Sequence, residues 1–166
     1  MKALSDTLIT AAALSSALAL STTAYAANNS LTTYQQQAKT LLEMLENQSQ
    51  GIEAASEKLV SDSLPIVDAF IVKYPECTEY LTALKQAAEK IPTLPLAEIE
   101  SGYHADGQLP ELKNAQCYHA KDLLVHPATV QAMAKIGINT EQDWESAEHE
   151  IEEVIEHFSQ VQAAMK

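Results

Sequence analysis

Apolar residues in this chain recur at the period of an α-helix, and nowhere do they alternate as a strand would require. The clearest stripe is the last one: Trp144, Ala147, Ile151, Val154, Ile155, Phe158, Val161 and Met165. Thr140 suits its N-cap, and Glu141 and Asp143 are favourable in its first turn. A second stripe joins Leu31, Tyr34, Ala38, Leu41, Leu45, Ile52, Ala55 and Leu59, which reads as one long helix with a kink at Gly51. Ser63 and Pro65 then read as a new helix start, buried through Ile66, Val67, Phe70 and Ile71 and ended at Tyr74-Pro75. A further helix begins near Cys77 and Thr78 and presents Tyr80, Leu81, Leu84, Ala87, Ala88 and Ile91. The expected fold is an all-α helical bundle of about four main helices, with shorter helices around a disulfide.

The remaining stretch, residues 91–137, is less regular. From Ile91 to Pro110 prolines and glycines interrupt any helical pattern, which predicts a long loop. Asn114 to Val125 reads as a short helix broken at His126-Pro127, followed by another through Ile136 with Gly137 as its C-cap.

The amino terminus has the form of a secretory signal: Lys2, an apolar run from Leu8 to Leu20, and Ala24 and Ala26 at the positions a signal peptidase reads. Residues 1–26 are therefore expected to be a signal peptide and 27–166 a single domain in the periplasm. The apolar run is shorter than the ~20 residues that span a bilayer, so no membrane span is expected after its removal. Cys77 and Cys117, the only two cysteines, are expected to form a disulfide in that compartment.

The net charge is −13, and no arginine occurs. Acidity without guanidinium groups excludes ordinary nucleic-acid binding and disfavours anionic membrane surfaces, and it attracts metal ions or other cationic ligands. No nucleophile elbow, His-Glu-x-x-His or phosphate loop is present, so an enzyme is not expected.

Candidate ligands concentrate between residues 102 and 130, where His104, Asp106, His119 and His126 combine imidazoles with a carboxylate. Such donors suit zinc, copper or iron. His119 and His126 are two helical turns apart, about 11 Å, too far to share one ion on a straight helix. The alternative is that these histidines are structural, in an exported interaction or scaffold protein.

Gly102-Tyr103-His104-Ala105 resembles the opening of the Gly-x-His-x-x-Glu motif of imelysin-like periplasmic proteins, which are helical and linked to iron uptake. The resemblance implies His104 as a ligand. Gly107 stands where the motif has Glu, and Asp106 falls one residue early.

Two other patterns carry expectations. His149, Glu153 and His157 share the fourth-residue spacing of a helix face, and together with Glu145, Glu148, Glu152 and Glu156 they read as a solvated acidic face. A small four-helix b-type cytochrome would pair a methionine of the first helix with a histidine of the last, and the nearest equivalents are Met44 and His157.

Overall fold

The computed structural model describes residues 16–166, with side chains from residue 29 onward. Four long helices form the bundle: α1 (Ser16–Glu46), α2 (Ile52–Lys73), α5 (Ala115–Ile136) and α6 (Glu141–Met165). Two shorter ones, α3 (Thr78–Ala87) and α4 (Leu96–Ile99), lie in the connection from α2 to α5. No strand occurs among the described residues. The expected signal peptide covers residues 1–26, of which 1–15 lie outside the described residues. Within the described residues no helix is long and apolar enough to cross a membrane.

Packing neighbours run α1–α2, α2–α5, α5–α6 and α6–α1, closing the bundle. Short turns after Glu46 and Ile136 make α1/α2 and α5/α6 antiparallel pairs. Gly51 at φ 89° and Gly137 at φ 96° accept the left-handed backbone these turns need. Thr140 and Asp143 form a reciprocal capping box at the start of α6, and Asn114 caps α5 by accepting from the Gln116 N–H. The Cys77–Cys117 disulfide, buried at both ends, ties the end of α2 to the start of α5. Closing a loop of this length stabilises by about 4 kcal/mol on chain-entropy grounds. The chain thus runs up, down, up, down, with the long connection packed against α5.

The stripes on α1 and α6 are buried largely as their spacing predicts, but the helix expected to run through Gly51 is two antiparallel helices divided at that turn, and two proline readings also need correction. Pro65 lies inside α2, and Pro127 lies inside α5. A proline within a helix deprives the carbonyl four residues earlier of its N–H partner. For Pro65 that carbonyl belongs to exposed Ser61. For Pro127 it belongs to Leu123 in the core, and the Tyr34 hydroxyl of α1 donates to it at 2.5 Å. A side chain from another helix therefore supplies the missing bond, and α5 continues through the proline.

The stretch read as a long loop also contains helical backbone. α4 runs into a π-helical turn at Glu100–His104, which carries His104 against α5. Such turns shift side-chain register and occur at functional sites.

Replacing Tyr34 by phenylalanine leaves the Leu123 carbonyl buried without a donor. Urea unfolding is expected to show a loss of about 1–3 kcal/mol. Tyr74→Phe, which removes a half-buried bond to Ala164 O near the end of α6, is expected to cost less than half as much. Equal losses would contradict the assigned role of Tyr34.

Candidate metal centre

α5 is buried around its circumference from Ala120 to Met133, so it has no solvent face on which to place polar residues. It nevertheless carries Lys121, Asp122, His126, Thr129 and Gln131 in that stretch. Buried charges are uncommon unless paired, and three of these side chains gather where α5 meets α6.

Asp122 and His126 are one turn apart on α5, and Glu153 and His157 are one turn apart on α6. Fourth-residue spacing puts each carboxylate beside its histidine, and packing brings the two pairs together. His126 Nε2 is 3.4 Å from Glu153 Oε2 and 3.9 Å from Asp122 Oδ1. His157 Nε2 is 3.4 Å from Asp122 Oδ2 and 4.0 Å from Glu153 Oε2. The His126 and His157 rings stack at 5.5 Å between centroids. His126, Glu153 and His157 offer ligand-type atoms within 4.8 Å of one another, as do His104, Asp122 and His126, so each group could hold a metal ion. In a tetrahedral site with bonds of ~2.05 Å, neighbouring ligand atoms are about 3.3 Å apart, close to these spacings.

Both Asp122 oxygens and His126 Nε2 are buried and make no hydrogen bond among the described residues. The Lys121 ammonium is 3.3 Å from Asp122 Oδ1, an ion-pair contact of poor hydrogen-bond geometry, and the Tyr118 hydroxyl is the other donor that interacts with this carboxylate. Burial pushes the Asp122 carboxyl up to about 7 despite Lys121. It likewise pushes Glu150 up to about 7, against the pull of His104. Burial also holds His126 and His157 down at about 4, so at neutral pH both rings are uncharged and carry a lone pair.

Further groups orient these rings. His126 Nδ1 and Glu150 Oε2 are 2.7 Å apart, and when Glu150 is ionised it accepts from Nδ1–H, which leaves Nε2 as an acceptor. His157 Nδ1 lies 2.8 Å from His119 Nδ1. If His157 donates there, its Nε2 is also a free acceptor. His104 packs edge-on against His126 at 4.8 Å, and its Nε2 lies 2.9 Å from Thr129 Oγ1. Glu153, at 39 % side-chain exposure, forms the solvent side of the cluster.

The residues expected from sequence divide three ways. His104 and His126 converge. Asp106 does not join them: it accepts from Tyr80 at 2.7 Å and pairs with Lys121 at 3.1 Å. His119 sits outside the cluster, behind His157, two turns from His126 as its spacing implies, and bonds across the helix interface. Met44 lies against Gly51 at the α1–α2 turn. His157 is beside Phe158, which stacks on Tyr34, about 15 Å along α1 from Met44. The structure does not bring these two together as axial ligands.

Asp122, Glu150 and Glu153 complete the cluster. Asp122 and Glu150 were not among the expected ligands, and Glu153 was assigned to a solvated face. That reading holds for His149, at 69 % exposure, but His157 turns inward against α5, as does Glu150, which lies outside that reading. The available signal was a repeated spacing, carboxylate-x-x-x-His, at Asp122/His126 and Glu153/His157. No protein family, curated protein or solved structure matches this chain.

The charge on Asp122 has a measurable consequence. Its native pKa lies above the unfolded value, so between about pH 7 and pH 4 the folded state binds a proton that the unfolded chain does not. Ionised Asp122 therefore destabilises the metal-free protein above pH 7, and this penalty fades as pH falls. Asp122→Asn is expected to stabilise chelator-treated protein by about 2 kcal/mol at pH 8, the unpaired amide returning part of the ~4 kcal/mol that the shift implies. The gain should shrink toward zero by about pH 4.5. Destabilisation at both pH values in thermal unfolding would show that Asp122 holds the fold together instead.

Proposed function

We propose that this protein is exported to the periplasm and binds one divalent transition-metal ion between α5 and α6, without catalysing a reaction. The ligands are His126 Nε2, His157 Nε2, Asp122 and Glu153, with His104 alongside. The observation that carries this reading is the convergence of three buried acceptor atoms without a well-formed hydrogen bond: His126 Nε2 and the two Asp122 oxygens, near which only Lys121 and Tyr118 offer a donor. A group of this kind is costly to bury unless something pairs with it. A cation satisfies all three at once.

Charge points the same way. Lys121, the one buried ammonium among the described residues, is shared between Asp106 and Asp122, which leaves carboxylate charge from Asp122, Glu150 and Glu153 in excess around the uncharged histidines. A divalent ion supplies the opposite charge. Glu150 and His119 act one layer out, each accepting from the Nδ1–H of a ligand histidine, the usual arrangement behind metal-bound imidazoles.

Nitrogen and carboxylate donors suit Zn(II), Fe(II) or Cu(II). Cu(I) prefers sulfur, and the two cysteines are joined to each other. Two imidazoles and two carboxylates fill a four-coordinate shell, whereas catalytic zinc keeps a position open for water or substrate. That favours binding over catalysis. Export rests on the amino-terminal sequence described above.

Zinc titration of chelator-treated protein against a competing dye tests the proposal. Wild type is expected to bind one ion with sub-micromolar affinity. His126→Ala and His157→Ala should weaken binding at least about 100-fold, and Glu150→Gln about 10-fold. His149→Ala, on the exposed face, should leave it unchanged. Binding weaker than micromolar in wild type, or equal binding in wild type and His126→Ala, would refute it.

A further inference from the structure

Lys121 is the one charged group in this region that a bound cation does not explain. Its side chain has no solvent exposure. The ammonium donates to the His104 carbonyl at 2.9 Å and to Asp106 Oδ1 at 3.1 Å, and it lies 4.4 Å over the Tyr118 ring. Its remaining contact is Asp122 Oδ1, at 3.3 Å. A positive charge is thus fixed beside a ligand oxygen of the proposed centre. Three of its four contacts use no ligand atom, so metal binding at Asp122 gives the ammonium no reason to leave.

Two like charges held this close in a poorly solvated interior repel strongly, because little water screens them. A site meant only to lock an ion in place gains nothing from such a neighbour. The same ammonium has a different effect when no metal is bound. It offsets part of the charge on Asp122, so the ligands can remain assembled without an ion.

We propose that Lys121 is a resident competitor of the metal ion, making the centre an exchangeable carrier site that takes up and gives up its ion. This rests on the metal-binding reading above. In the absence of the ion Lys121 is the partial counter-charge of Asp122. In its presence Lys121 lowers affinity and speeds release. Asp106 sets the strength of that competition, because its carboxylate, held by Tyr80, neutralises part of the ammonium's field.

A purely structural role also exists for Lys121, since its bonds to His104 and Asp106 anchor the segment after α4 onto α5. The two roles differ in sign. If Lys121 competes with the ion, Lys121→Met should bind zinc at least tenfold more tightly than wild type, mainly through slower release. Asp106→Asn keeps an acceptor for Tyr80 and Lys121 but removes the compensating charge, so it should bind zinc several-fold more weakly. If Lys121 is only an anchor, both substitutions should weaken binding.

Zinc affinity and release rate, measured by competition with a chelating dye and by stopped-flow chelator challenge, separate these outcomes. Lys121→Gln, which retains a donor, is measured in parallel in case Lys121→Met fails to fold without zinc. Tighter binding in a folded Lys121 variant, with weaker binding in Asp106→Asn, supports the proposal. Unchanged or weaker binding in every folded Lys121 variant, or unchanged or tighter binding in Asp106→Asn, overturns it while leaving metal binding intact. Absence of zinc binding by wild type overturns the metal reading itself, and this inference with it.

Discussion

The arrangement at the centre of this molecule depends on one ionisable group in an unusual place. Asp122 sits on a helix that is buried on all sides, and its oxygens have only the loose company of the Lys121 ammonium and the Tyr118 hydroxyl. An ionised carboxylate in that position costs free energy, which burial expresses as a pKa near 7. Its surroundings are organised around that charge. An ammonium lies on one side, and two uncharged imidazoles and a second carboxylate lie on the other. An apolar residue of similar size would make a more stable metal-free core. The sequence keeps the charge, and the cation proposed for this site would make that favourable.

The fold supplies the rigidity such a centre needs. α5 must run unbroken past Pro127 for Asp122 and His126 to share a face, and Tyr34 makes this possible by bonding the carbonyl the proline frees. The disulfide fixes the first turn of α5, just before Tyr118, His119 and Lys121. The capping box starts α6 cleanly, setting which of its residues face α5. Lys121 then draws the segment after α4 onto α5 through the His104 carbonyl and Asp106, which brings the His104 ring against His126. Features far apart in the chain thus set the positions of a few nitrogen and oxygen atoms.

Much of the bundle is legible in the sequence because α1 and α6 are half-exposed helices with apolar stripes, and α2 ends at Tyr74-Pro75 as its pattern requires, although it starts at Ile52 and not at Ser63. α5 is not legible in that way. A helix buried all round has no stripe to detect, and His126-Pro127 looks like a break unless the Tyr34 hydroxyl is known to be opposite Leu123. Two short helices were therefore expected where one long one runs. The site was partly hidden for the same reason. His104 and His126 stand out as histidines in an irregular stretch, but Asp122 in a supposed short helix and Glu150 on an acidic face look ordinary. Periodicity identifies the apolar face of α6; it does not tell how far burial extends around the helix when its neighbour also carries polar groups. That is why His157 turns inward although its flank reads as solvated. Asp106, correctly placed near the site by sequence distance, is claimed by Lys121, whose burial no local pattern announces.

The most direct measurement of the central claim is anomalous diffraction at the zinc edge from crystals grown with one equivalent of zinc. The account predicts a single strong peak between α5 and α6, within about 2.2 Å of His126 Nε2 and His157 Nε2 and bounded by Asp122 and Glu153. Zinc found only at surface groups such as His149, with the Asp122 oxygens still facing His126 and His157 alone, would contradict it.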